Sequence, residues 1–357
     1  MRRNTARLSL ITAALLTVAS TAARAEAPRV VTSIKPVHSL VSAVMKGVGE
    51  PVLLVRGAAS PHTYSMKPSD ARALGNAALV FWVGPTLEGF LEKPLAANAG
   101  KARAIALLDQ PGMTLLEGRK GGAWEPHDHA DGHHGHGHAH KEHGHKEHAH
   151  KEHAHGNHGH DDHGHDDHGH DDHGHDDHGH DDHDHDAMDT HIWLDPDNAK
   201  RIVAVAAEAL AGADPANAAA YRANAAAAEA RITALDAELK ELLAPVAKKP
   251  FIVFHDAYQY YETHYALNGV GAITVNPERR PSAKRLTEIR ARITELGAAC
   301  VFAEPQFEPA LVNTIAEGTP AKKGVLDPEG ADIPDGPDLY PALMRNIATA
   351  LKGCLGS

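Results

Sequence analysis

The chain lacks a long apolar run, a basic surplus and all but two cysteines. Each absence closes a class of function. The longest apolar stretch, Leu8 to Ala19, has 12 residues, whereas crossing a bilayer core of roughly 30 Å takes about 20. An integral membrane protein is therefore not expected. Lys and Arg number 35 against 47 Asp and Glu, for a net charge of −12. The segment 127–186 alone carries 17 acidic residues and 3 Lys, the first 25 residues carry four Arg and no acid, and what remains sums to only −2. With no excess of cations to neutralise phosphates, nucleic-acid binding is not expected. The two cysteines are Cys300 and Cys354, so attachment of a lipid through an N-terminal Cys is excluded.

The first 25 residues read as an export signal. Arg2, Arg3 and Arg7 precede the apolar stretch, and Ala23-Arg24-Ala25 forms an A-x-A cleavage site. The alternative is an uncleaved amphipathic N-terminus. Cleavage after about Ala25 leaves a soluble, unlipidated protein in the periplasm. In that oxidising compartment Cys300 and Cys354 form one disulfide or stay as two buried thiols. A bridge would pin the C-terminal helix to the strand that opens at Cys300.

From Val30 the pattern alternates short apolar runs with helical segments. Strands are expected at Val30–Ile34, Pro51–Val55, Ala78–Val83 and Ala104–Leu107. Helices are expected at Val37–Lys46, Pro68–Leu74 and Thr86–Ala97, the last capped by Thr86. A low-complexity insert spans about residues 118–188. It has almost no branched aliphatic side chains, cannot build a core, and reads as disordered without metal. From Lys141 to His185 it repeats x-x-His-x-His nine times. Beyond it, Pro196–Leu210 reads as a helix, and Pro215–Leu243 as a long Ala-rich helix without internal Gly or Pro, running for roughly 40 Å. A second series then follows, with strands at Phe251–Phe254, Ala272–Val275, Cys300–Ala303 and Gly324–Leu326. Its helices are Tyr258–Leu267, Ser282–Leu296, Pro309–Ala316 and Leu339–Leu351. The expected fold is α/β: two lobes, each a mostly parallel sheet flanked by helices, joined by one long helix. The boundaries are 1–25 for the signal, 26–211 for the N-terminal lobe with its insert, 215–243 for the linking helix and 250–357 for the C-terminal lobe. Ligands of such sheets lie at the carboxyl ends of strands, in the crevice.

Of 30 histidines, 25 lie in the insert. The other five are His38, His62, His191, His255 and His264. His62 and His255 fall just past strand ends, and His191 opens the apolar run after the insert. Imidazole nitrogens in a polar crevice suit zinc. No Met cluster or Cys lies beside them to mark a copper(I) site, and a manganese site would be richer in oxygen ligands. His38 and His264 fall inside helices and read as structural.

Several stretches together resemble a known family. They are Ser60-Pro-His-Thr-Tyr-Ser-Met-Lys-Pro-Ser-Asp70, Val80-Phe-Trp-Val-Gly-Pro85, His191-Ile-Trp-Leu-Asp-Pro196, Phe254-His-Asp-Ala-Tyr258, Val301-Phe-Ala-Glu-Pro-Gln306 and Leu326-Asp-Pro328. With the His/Asp-rich insert, they resemble the periplasmic zinc-binding components (ZnuA type) of bacterial ABC zinc-uptake transporters, over nearly all of the mature chain. The resemblance implies two lobes around a rigid linking helix, Zn2+ in the cleft between them, His62, His191 and His255 as ligands, and the Cys300–Cys354 disulfide. One position departs: relatives often carry Glu before the first His, and here it is Pro61. The fourth ligand is then water or another acid. Asp327 is the preferred candidate, its alternative role being to cap a turn before Pro328. Glu304 could instead orient a ligand.

The resemblance also implies the partners: an ABC zinc permease in the membrane and its ATPase, met by a monomeric carrier. Within the insert, paired His such as His143 and His145, His163 and His165, or His168 and His170 would hold further zinc weakly, as a collector, a sensor or a mere spacer. A periplasmic zinc buffer that never docks is the competing function. A metallohydrolase is the third, since three His plus an open position is also a catalytic arrangement. Against it stand the absence of His-Glu-x-x-His, of Gly-x-Ser-x-Gly and of an evident general base.

Overall fold

The computed structural model describes residues 26–98, 101–119, 124, 188–274, 281–308 and 310–356. The export signal and the six insert histidines named above lie outside the described residues. No helix among the described residues is long and apolar enough to cross a membrane.

The first half builds one parallel sheet. Its strands are β1 (Val30–Thr32), β2 (Val52–Leu53), β3 (Leu79–Trp82) and β4 (Arg103–Ala106), in spatial order β2-β1-β3-β4. Helices α1 (Lys35–Met45), α2 (Pro68–Gly75) and α3 (Gly89–Ala97) connect them. The second half repeats the plan with β5 (Phe251–His255), β6 (Gly269–Thr274), β7 (Cys300–Ala303) and β8 (Lys322–Val325), in order β6-β5-β7-β8. Its helices are α6 (Gln259–Tyr265), α7 (Ala283–Glu295), α8 (Ala310–Ala316) and α9 (Leu339–Leu355). Between the halves lie α4 (Pro196–Ala213) and α5 (Ala218–Leu243).

The central strands of both sheets, β1 and β3 in the first and β5 and β7 in the second, are buried on both faces, as expected of parallel sheets with helical crossovers. Strand periodicity divides the side chains between two cores. Val30, Leu79 and Phe81 point into the main core, whereas Val31, Val80 and Trp82 pack with Leu74 and Leu91 under the outer helices. In the second sheet Phe251 and Val253 join the main core, and Ile252 and Phe254 pack with Ile289 and Ile315 on the outer side. The main core is continuous from Val30 to Leu355.

The long helix is where the Ala-rich run puts it, with one difference at its start. Pro215–Asn217 forms a 3-10 turn, and the α-helix begins at Ala218. Tyr221, Ala225, Ala228, Ile232, Leu235, Leu239 and Leu243 are its buried stripe, at the three- and four-residue spacing of one helix face. That stripe packs on α1, α4 and α9.

Two local expectations are corrected. Thr86 does not cap α3: the Glu88 carboxylate turns back to accept the Val83 and Gly84 backbone N–H groups at 3.1 and 2.9 Å, which holds residues 84–88 in a turn and delays the helix to Gly89. The fourth strand of the second sheet starts earlier than expected, at Lys322, pairing with Cys300. Ser282 does cap α7, its hydroxyl accepting from the Arg285 N–H at 3.1 Å. Cys300 and Cys354 are disulfide-bonded, with Cα atoms 6.3 Å apart, so the start of β7 is fixed to the last turn of α9.

Candidate metal centre

His255 is the last residue of β5, the central strand that pairs with both β6 and β7. Its ring therefore emerges at the carboxyl end of the sheet, where the crevice lies. His191 stands just before the 3-10 turn Ile192–Leu194, whose side chains are fully buried and fix its position. His62 sits in the turn that leads from β2 to α2 and is half-buried. The three rings converge, with centroid separations of 5.8 Å (His62–His191), 5.9 Å (His62–His255) and 5.2 Å (His191–His255). One nitrogen from each lies within 4.8 Å of the other two. They line a small pocket whose walls include Pro61, Glu304, Phe307 and Glu329.

Two carboxylates orient the rings. His191 Nδ1 lies 2.7 Å from Asp189 Oδ1, which also accepts the His191 backbone N–H at 2.9 Å. His255 Nδ1 lies 2.8 and 2.7 Å from the two Glu304 oxygens. A carboxylate only accepts, so both rings carry their proton on Nδ1 and present the Nε2 lone pair to the pocket. Burial is the largest single influence on His255 and lowers its pKa, but the Glu304 charge and hydrogen bond together with the Asp256 and Asp189 charges outweigh it and raise the value. His62 has no such partner among the described residues. Burial, with the neighbouring His191 and His255, holds its pKa well below the ordinary histidine value. The arrangement is a set of nitrogen lone pairs aimed at one point, suited to a borderline-soft divalent cation with tetrahedral preference.

Asp327 does not join this set. Its Oδ1 accepts from Gln306 Nε2 at 2.8 Å and from the Glu329 and Gly330 N–H groups at 3.0 and 2.9 Å, and its Oδ2 accepts from the Ala331 N–H at 2.6 Å. With both oxygens engaged by the turn it closes, Asp327 is outside the group of converging donors among the described residues. Glu304 takes the orienting place weighed for it. Asp189, which holds His191, was missed by sequence reasoning; its one signal is its position two residues before that histidine.

His38 and His264 lie apart from the trio. His38 Nε2 faces the Pro51 carbonyl at 3.2 Å. His264 sits between Asp195 (Nδ1, 3.1 Å) and Asp236 (Nε2, 2.8 Å). Asp195, Asp197 and His264 also bring donors within 4.8 Å of one another. However, Asp197 is paired with Lys200 at 2.6 Å, and Asp195 caps α4. An imidazole facing a carboxylate at each nitrogen is itself the cation of that cluster. The Asp195 hydrogen bond is the largest influence raising its pKa.

Comparison with known proteins gives consistent relatives. The family model described as zinc-uptake complex component A periplasmic, ZnuA, matches residues 30–354. The chain is 49% identical over 326 residues to the high-affinity zinc uptake system protein ZnuA of Brucella abortus (strain 2308), covering 91% of each. It is 42% identical over 350 residues to the protein of that name from Paracoccus denitrificans, covering 98% of each. Among solved structures, a crystal structure of ZnuA superposes with a TM-score of 0.64 at 25% identity, over 91% of this chain and 99% of the other.

Proposed function

Since this chain belongs to the ZnuA family of periplasmic zinc-uptake components, we propose that it captures zinc with His62, His191 and His255 and delivers it to an ABC-type permease and its ATPase. Zinc is cargo in this reading. The observation that carries it is the pair of carboxylate-held rings: Asp189 and Glu304 occupy the Nδ1 sides of His191 and His255 and leave both Nε2 atoms for the metal. That is the usual outer partnership of a zinc-bound histidine. The fourth position is left to water, because Pro61 has no donor and Asp327 is engaged elsewhere.

The lobes are read as 26–211 and 250–357, with 215–243 as the linking helix and 1–25 as a cleaved export signal. His62 and His191 then come from one lobe and His255 from the other, so bound zinc ties the lobes and its release requires that tie to break. The chain is a carrier, not a catalyst. The buried carboxylate nearest His255 is committed to that ring and is not available as a general base for hydrolysis. The histidine pairs of the insert add weak zinc sites beside the tight one.

Competition titration against a chromophoric chelator tests the ligand set. His62→Ala, His191→Ala and His255→Ala should each weaken the tight site by more than the ~10–100-fold of a lost orienting partner. His38→Ala and His264→Ala should leave it unchanged. Equal losses from all five would overturn the assignment. Zinc uptake by permease-containing vesicles supplied with the loaded protein tests delivery; tight binding without uptake would instead support a buffer.

A further inference from the structure

Arg119 is the last described residue before the His-rich run apart from Trp124, over whose indole its guanidinium stacks at 3.5 Å. Its side chain is mostly buried and reaches into the second half of the molecule. Nε donates to Asp256 Oδ2 at 3.1 Å and Nη2 donates to Asp256 Oδ1, a two-pronged grip on one carboxylate. The remaining prong, Nη1, donates to Glu262 Oε2 of α6 at 2.6 Å. Asp256 and Glu262 are both buried. Asp256 directly follows His255, in a tight turn closed by the Ala257 N–H donating to the His255 carbonyl at 2.9 Å.

The chain around Arg119 is stitched to the segment that carries His191. Glu117 pairs with Met188 in an antiparallel bridge, and the Asp189 N–H donates to the Leu116 carbonyl at 2.8 Å. The Tyr260 hydroxyl of α6 closes the stitch, accepting from the Leu116 N–H at 3.0 Å and donating to the Asp189 carbonyl at 2.9 Å. One short ladder therefore holds Asp189, which orients His191, and Arg119, which holds the residue next to His255.

We propose that Arg119 is a positioning residue: its fork on Asp256 sets His255 against His191 and thereby governs how slowly bound zinc is released. The proposal rests on the three-histidine reading above. Two physical points support it. A guanidinium grips a carboxylate in a fixed plane, which a lysine ammonium cannot do. Asp256 and Glu262 are buried carboxylates that both pair with the Arg119 guanidinium, so removing it takes that compensation from both and loosens the turn beside His255.

The test uses the full chain with zinc as the probe. Dissociation is followed by transfer to excess chelator, well below the melting temperature, in Arg119→Lys, Arg119→Gln and Glu262→Gln. Arg119→Lys should fold and lose zinc about 10–100-fold faster, the scale of a lost orienting contact, with association little changed. Arg119→Gln should be at least as fast. Glu262→Gln, which spares the grip on Asp256, should release zinc near the wild-type rate although its melting temperature falls. A lysine that restores wild-type release would reduce Arg119 to a neutralising charge and overturn the proposal. So would a folded Arg119 variant whose stability drops while release is unaltered. His255→Ala is the control: if it binds zinc normally, the ligand reading has failed, whereas loss of binding there with unaltered Arg119 variants sinks this inference alone.

Discussion

The Nε2 atoms of His191 and His255 lie 3.3 Å apart, each on a ring whose Nδ1 faces a carboxylate. Two lone pairs at that distance repel unless a proton or a metal cation sits between them, and the proposed zinc would supply that cation. Glu304→Gln and Asp189→Asn keep the shape and remove the charge. Each should weaken zinc binding by about 10–100-fold in a competition titration while the fold is retained. An unaltered affinity in both would mean that the rings are held by packing alone.

Asp327→Asn separates turn closure from ligation. The Asp327 carboxylate accepts three backbone N–H groups, and hydrogen bonds to a charged group contribute about 1.5–3 kcal/mol each at most. The variant should melt lower yet retain zinc far better than His255→Ala. A loss of zinc equal to that of the histidine variant would restore Asp327 as a ligand.

Deleting residues 127–186 removes 25 histidines and leaves the Glu117–Met188 bridge outside the cut. Calorimetric titration of the shortened chain should show one tight zinc site and none of the weak ones. Disappearance of the tight site would move the primary ligands into the insert.

The His264 imidazolium should make stability depend on pH. Its pKa is raised in the folded protein, by the Asp195 hydrogen bond first and by Asp236 as well; the unfolded value is about 6.5. A raised folded pKa means that the contribution is complete below the unfolded pKa and is lost as pH rises through the folded one. Lys200, whose pKa is raised by its hydrogen bond to Asp197, keeps its charge across that window and does not mask it. Unfolding of metal-free wild type and His264→Gln should differ most in mild acid and converge as pH rises. A gap that widens with pH would reverse the assigned charge state.

Reduction of Cys300–Cys354 opens a crosslink between residues 54 positions apart. The chain-entropy relation puts such a loop at about 4 kcal/mol of stability. Denaturant unfolding with and without reductant should show a loss of that order, and a Cys354→Ser variant should match the reduced protein. Equal midpoints would mean that α9 is held by its apolar stripe alone.

Strands and long helices were legible because their periodicity is local. Val30–Thr32 and Phe251–His255 are β-rich runs, and α5 has neither Gly nor Pro to interrupt it. The histidine trio was legible because strand ends in such sheets point at the crevice and because the flanking motifs resemble the family's. Arg119 was not legible: it meets Asp256 from 137 positions away, and no local pattern announces such a pair. Asp327 was ambiguous in a different way. An acid after a strand and before a proline has the same sequence signature whether it closes a turn or faces a metal, and only the backbone N–H groups of residues 329–331 distinguish the two. Thr86 misled because a hydroxyl before a helical run reads as a cap, while the Glu88 side chain had a stronger local option in the Val83 and Gly84 N–H groups.

The bridge between Glu117 and Met188 also determines what the architecture permits over generations. Both ends of the histidine-bearing stretch are clasped there, by each other and by Tyr260. Once two ends are clasped, lengthening the chain between them adds only logarithmically to the closure entropy, about 0.6 kcal/mol per doubling. Repeats of five residues can therefore be gained or lost by replication slippage with almost no penalty to the folded body. The clasp separates the length of that stretch from the geometry of the three histidines on the folded body.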